Sequence, residues 1–192
     1  MVRLLSRSIE KKLETATLAS GCFWCTEAVF KIVNGVEQID PGYTGGAMEN
    51  PSYEEVSSGR TGHVEAIQLT FDPDVVSYRE ILEIFFATHD PTTLNRQGPD
   101  VGTQYNSGIF YHNEAQKVAA LDLIDELTEE QIWDKPIVTK VVPAKTFYKA
   151  EIYHKDYYAK HPENAYCQQI ITPKIAKLQQ KYYTKLKPVT QY

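Results

Sequence analysis

The sequence predicts an α/β or α+β chain: a mixed sheet with helices packed on it and long loops over one end. Three observations carry this. β-Branched, alternating stretches interleave with amphipathic ones. Helix-start signals, Ser77 with Glu80 and Asn113, fall between candidate strands. Two polar, Gly- and Pro-rich loops, 42–51 and 90–107, are too long to be mere connectors.

Taken in order, Thr15 to Ala19 alternates and reads as a strand. Residues from Ala28 to Val33 run as a helix that stops near Asn34-Gly35, and Val36 to Asp40 is a short strand. Ser52 to Ser58 makes a short helix carrying Tyr53. His63 to Phe71 is the clearest strand, ended by Asp72-Pro73. Ser77 caps a helix whose Ile81, Leu82, Ile84, Phe85 and Phe86 form one apolar face, stopping at Thr88-His89-Asp90-Pro91. Ile109 to Tyr111 is a strand, Asn113 caps a helix to about Leu127, and Ile137 to Val142 is another strand. A last helix runs from Pro173 to about Leu186.

The 192 residues carry a formal net charge of -5. The size suits one domain with a real core. No basic block stands out beyond the Lys-rich last helix, so nucleic-acid binding has little support. No apolar run is long enough for a membrane span, and Met1 to Ser8 lacks the apolar region of a secretory signal. Three cysteines do not make a disulfide scaffold. They fit a reducing compartment, the cytoplasm, with catalytic or redox duty.

The chemistry centres on Gly21-Cys22-Phe23-Trp24-Cys25-Thr26-Glu27. Cys22 sits at a strand-to-helix junction, where free N–H groups and the positive helix end favour a reactive thiolate. Gly21 permits a sharp turn there. Phe23 and Trp24 are either core anchors or an apolar wall for a small group held against the sulfur. Glu65 shares strand parity with Ile67, Leu69 and Phe71. It therefore points to the apolar side, where burial raises its pKa; the plainer alternative is a strand-end Glu that reaches solvent.

A thiolate, a buried acid and Tyr-bearing loops suit nucleophilic attack with protonation of a leaving oxygen. Two rivals remain. Cys22, Cys25 and Cys167 with His154 or His161 could ligate zinc, but Cys167 has no close cysteine partner as structural sites usually do. The C-x-x-C spacing also fits a thioredoxin-like dithiol protein, although two bulky aromatics would crowd a docking disulfide.

The motifs together resemble the A-type peptide methionine sulfoxide reductases. Beyond the Cys22 stretch, the matches include Gly42 to Gly46, Asn50 to Tyr53, Gly59 to Glu65, His89 to Pro91, Arg96 to Tyr105, Phe147 to Glu151 and His154 to Tyr157. They cover roughly 14–187, leaving 1–13 as an N-terminal extension and 188–192 as a tail. The resemblance implies a two-layer α/β sandwich with a ferredoxin-like core and no cofactor. It implies that Cys22 attacks the sulfur of methionine S-sulfoxide, in peptides or as the free amino acid, while Phe23 and Trp24 hold the methyl group. Glu65 would protonate the oxygen, Tyr53 and Tyr105 would hydrogen-bond it, and Asp100 would order the site. The resulting Cys22 sulfenic acid would become a disulfide, reduced by thioredoxin. A monomer is expected.

Many family members have Gly where this chain has Cys25, and resolve through a C-terminal cysteine. Here that stretch reads His161-Pro162-Glu163-Asn164-Ala165-Tyr166-Cys167, one residue longer and without its Gly. Cys25 and Cys167 are both candidates for the resolving thiol. Proximity favours Cys25, with Cys167 relaying the disulfide outward.

Overall fold

Strict alternation makes Glu65, Ile67, Leu69 and Phe71 one buried row, and the strand that carries them lies inside the sheet with a partner on each side. The computed structural model describes residues 12–188; the expected extension and tail fall almost wholly outside these. In chain order the elements are β1 (Glu14–Ser20), α1 (Phe23–Lys31), β2 (Val36–Thr44), α2 (Tyr53–Ser57), β3 (Val64–Phe71) and α3 (Tyr78–Ala87). A small hairpin follows, β4 (Arg96–Gln97) and β5 (Asp100–Val101), then β6 (Ser107–Tyr111), α4 (Glu114–Glu129), β7 (Lys140–Pro143) and β8 (Tyr148–Lys149). Short α5 (Tyr157–Lys160) and α6 (Thr172–Tyr182) end the regular structure.

The main sheet has the order β7-β6-β1-β3-β2-β8. Its neighbours are antiparallel except β6 and β7, so the sheet is mixed as the sequence predicts. Its centre, β6-β1-β3-β2 with α1 and α3 as crossovers, is the ferredoxin-like β-α-β-β-α-β arrangement. The main core holds Leu18, Phe30, Ile67, Leu69, Phe71, Ile81, Phe85 and Ile109. A smaller cluster of Ala19, Ala66 and Phe110 covers part of the sheet's other face.

Local chemistry sets the helix starts. Ser77 and Glu80 form a reciprocal capping box at α3, and Ser52 with Glu55 forms another at α2. Asn113 caps α4 by accepting the Gln116 N–H.

Several boundaries differ from the sequence reading, and α1 begins at Phe23, directly after Cys22, where the sequence reading began it at Ala28. β2 runs on to Thr44, because Gly42 and Tyr43 pair with β3 on one side and β8 on the other. β7 begins at Lys140, since Val138 donates its N–H to the Pro91 carbonyl instead of joining the ladder. The last helix stops at Tyr182, because Leu186 bridges to Val33 and the Lys187 N–H bonds to the Ile32 carbonyl. A wide π turn, Cys167–Ile171, precedes α6.

Candidate active site

The turn from β1 into α1 sets the position of Cys22. Gly21 has φ +89°, and a Cβ there would lie 2.5 Å from the Gln97 side chain. Gln97 is itself fixed, accepting the Asp90 N–H and donating to the Asp90 carbonyl. The 90–107 loop thus closes directly over the cysteine turn. His89 pins the loop's base, donating to the Phe85 carbonyl and accepting from the Ser107 hydroxyl. Burial lowers His89 to about 4, so it is neutral.

Cys22 is the N-cap residue of α1, and the N–H groups of Cys25 and Thr26 bond to its carbonyl. Glu65, 2 % exposed, accepts the Phe23 N–H at 3.0 Å. Burial pushes the Glu65 carboxyl up to about 8, against the pull of that hydrogen bond. Glu65 is therefore protonated at neutral pH and can donate.

A pocket of about 220 Å³ is lined by Cys22, Phe23, Trp24, Tyr53, Glu65, Asp100 and Tyr105, together with Tyr157, Asn164 and Tyr166. Every expected catalytic and substrate-contacting residue thus meets in one cavity. Glu151 holds one wall: it accepts the Tyr53 N–H and the Tyr43 hydroxyl, each at 2.8 Å. The Trp24 indole donates to His154 Nδ1 at 3.0 Å and stacks on Tyr157 at 3.7 Å between centroids. Asp100 accepts a 2.6 Å hydrogen bond from Tyr166, whose oxygen lies 3.6 Å from Cys25 Sγ.

The three thiols form one buried cluster, Cys22, Cys25 and Cys167 with Ala28 and Ile171. Among the described residues, no group of three or more His, Cys, Asp or Glu is placed to hold a metal ion.

The helix-start argument for an acidified Cys22 needs correction. Burial, then Cys25 and Glu65, hold the Cys22 thiol well above its usual range. The acidified thiol is Cys25, lowered to about 7, first by a hydrogen bond from Cys22, with burial opposing and Lys174 and Tyr166 assisting.

Residues 14–187 match the family model described as peptide methionine sulfoxide reductase. The chain belongs to the peptide methionine sulfoxide reductase family. Among relatives of this reductase chain, a peptide methionine sulfoxide reductase MsrA of Thermus thermophilus is 53% identical over 175 residues, 91% of this chain and 98% of that protein. Reduced Mxr1 of Saccharomyces cerevisiae is similar in structure, with TM-score 0.76 and 38% identity, covering 81% of this chain and 90% of that one. Mxr1 in complex with Trx2 gives 0.54 at 27% identity, covering 79% and 91%.

For this reductase, the sequence reading assigned no role to Glu151, Tyr157 or Tyr166, and weighed His154 only as a zinc ligand. All stand on the C-terminal segment, at positions no periodicity links to Cys22. The signals were the density of Tyr and His between Tyr148 and Tyr166 and the place of Glu151, His154 and Tyr157 in the stretches that carry the resemblance.

Proposed function

We propose that this chain reduces the S epimer of methionine sulfoxide, in peptides and as the free amino acid, with Cys22 as nucleophile and a thioredoxin as reductant. The observation that carries this is the buried Glu65 carboxyl, held beside Cys22 in a pocket walled by Phe23 and Trp24. The two rings receive the methyl group. The phenols of Tyr53 and Tyr105 donate to the sulfoxide oxygen, and Glu65 supplies its proton.

An ionised Glu65 holds the Cys22 thiol up by its charge; once protonated it no longer opposes ionisation of the sulfur, which attacks as the oxygen is protonated. Cys22 is oxidised to a sulfenic acid and the sulfoxide is reduced to the thioether. The thiol proton of Cys22 replaces the one Glu65 gives up, so methionine formation consumes no net proton. Asp100 orders the pocket edge through Tyr166.

Cys25, one helical turn from Cys22 and the more acidic thiol, then attacks the sulfenic sulfur and releases water. Buried Cys167, in the same cluster, relays the disulfide outward. The Trx2 complex of the similar Mxr1 supports a thioredoxin as the electron donor. No helix among the described residues is long and apolar enough to cross a membrane. Three unbridged cysteines suit work in the cytoplasm, as a monomer carrying its whole site on one chain.

The test is stoichiometric. Reduced protein is incubated with a methionine sulfoxide substrate without reductant, and methionine formed and thiols lost are counted. One methionine for two thiols is expected; no methionine overturns the proposal. Insulin-disulfide reduction should be near blank, and metal analysis should find no stoichiometric zinc.

A further inference from the structure

A second cleft, of about 240 Å³, also reaches Cys22. Its lining includes Cys25, Gln97, Asp100, Tyr166 and Lys174. Cys22, Asp100 and Tyr166 border both this cleft and the substrate pocket. The 2.6 Å Tyr166–Asp100 bond therefore stands as the partition between them. On one side are Glu65, Tyr53 and Tyr105; on the other are Cys25 and a lysine that the reduction of the sulfoxide does not use.

We propose that Lys174 is a positioning residue for the second half-reaction, poising Cys25 as the nucleophile that attacks the Cys22 sulfenic acid. This rests on Cys25 being the resolving thiol. The titratable and charged groups that act on Cys25 are Cys22, Tyr166, Asp100 and Lys174. Glu65 and Cys167 feel its charge in turn. Lys174 is the one cation among them. Asp100 opposes ionisation, and Tyr166 supplies only a hydrogen bond. The bond from the Cys22 thiol, dominant at rest, changes once that sulfur carries a hydroxyl.

The backbone is built for this placement. Tyr166 and Lys174 are eight residues apart, and at the α-helical period they would diverge by about 80° around the axis. The π turn at Cys167–Ile171 lies between them, and its wider winding takes up that drift. Both side chains consequently line the same cleft over Cys25.

In the step itself, the Cys25 thiolate forms an S–S bond to Cys22 while the S–O bond breaks. The departing hydroxide takes a proton and leaves as water. That proton balances the one Cys25 lost on ionising. No external oxidant or reductant enters until thioredoxin reduces the disulfide.

The test follows thiol loss after one equivalent of N-acetyl-methionine sulfoxide is added to reduced Cys167→Ser protein, quenched at intervals from pH 5.5 to 9. The rate of disulfide formation should rise with pH to a plateau as Cys25 ionises, with a midpoint below the ordinary cysteine range. Lys174→Gln should move the midpoint up by about one pH unit and slow the step about tenfold at pH 7, and Lys174→Arg should restore both. High salt should raise the midpoint in the parent and not in Lys174→Gln, which tests the charge even if a variant folds poorly. An unshifted midpoint in Lys174→Gln, or a parent insensitive to salt, overturns the inference. A Cys25→Ser protein that retains Cys167 and closes its disulfide at the wild-type rate instead overturns the resolving assignment beneath it.

Discussion

Glu65 Oε2 lies 3.0 Å from the backbone N of Phe23, the residue directly after Cys22. Glu65 is thus tied to the Cys22 turn through the main chain, with no need of the Cys22 side chain. Cys22→Ser should leave Glu65 in place and the fold intact while abolishing methionine formation, because a serine hydroxyl is a far weaker nucleophile at neutral pH. Thermal unfolding and single-turnover methionine release are the measurements. Turnover in that variant would disprove the mechanism.

Glu65→Gln keeps the shape and a donor but has no proton to release. Single-turnover methionine formation should fall on the order of 10²–10⁴-fold, the usual worth of a positioned general acid. The wild-type step should hold below, and decline above, a pH of about 8, where Glu65 loses its proton. A decline of the same shape in Glu65→Gln would assign it to another group.

Trp24→Phe tests the apolar wall. It removes the indole N–H that satisfies His154 Nδ1 and shrinks the ring stacked on Tyr157. Losing one such anchored contact, about 1–1.5 kcal/mol, should raise KM roughly tenfold. An unchanged KM would take Trp24 out of the substrate wall.

Resolution can be read from single-cysteine variants. Cys25→Ser should accumulate sulfenic acid, trapped with dimedone, after one turnover. Cys167→Ser should still yield a Cys22–Cys25 disulfide by peptide mapping. Finding only Cys22–Cys167 in the wild type would reassign the resolving thiol.

Glu27 offers a stability prediction away from the chemistry. It is buried, accepts the Asp156 N–H, and is raised from 4.5 to about 7, chiefly by burial. Unfolded, it ionises near its ordinary value. Between the two values the folded state holds the extra proton, so stability falls as pH climbs through this window and then levels off. The loss is on the order of 1–3 kcal/mol. Glu27→Gln retains an acceptor for Asp156 and should remove this component. Urea unfolding at pH 5 and 7.5 measures it: Glu65 adds its own slope to both proteins, so their difference isolates Glu27. A difference that does not change with pH would mean Glu27 carries no such penalty.

The elements whose partners are near in sequence were legible. Strand parity foretold the burial of Glu65, and Ser77 with Glu80 marked the start of α3 where it occurs. The elements settled by distant partners were not. Nothing local in Leu186 says that it leaves the last helix to pair with Val33. The ionisation of Cys22 was misjudged for the same reason. A helix start is visible in sequence, but the burial and the Cys25 and Glu65 neighbours that outweigh it arise only on folding. Glu151 and His154 carry no pattern that points to Tyr53 or Trp24, because side-chain bonds across strands and loops leave no period.

The Trp24–His154 bond spans 130 residues of chain. At about 5–20 residues per second, the ribosome makes His154 roughly 7–26 s after Trp24. Throughout that interval a nascent chain holds its cysteine turn and most of the strands beneath it, but not the wall of Trp24, His154 and Tyr157 beside Cys22. Tyr157, Tyr166 and Cys167 follow later still. The wall is therefore incomplete until His154 has been made, and a chain truncated before His154 would carry Cys22 without it.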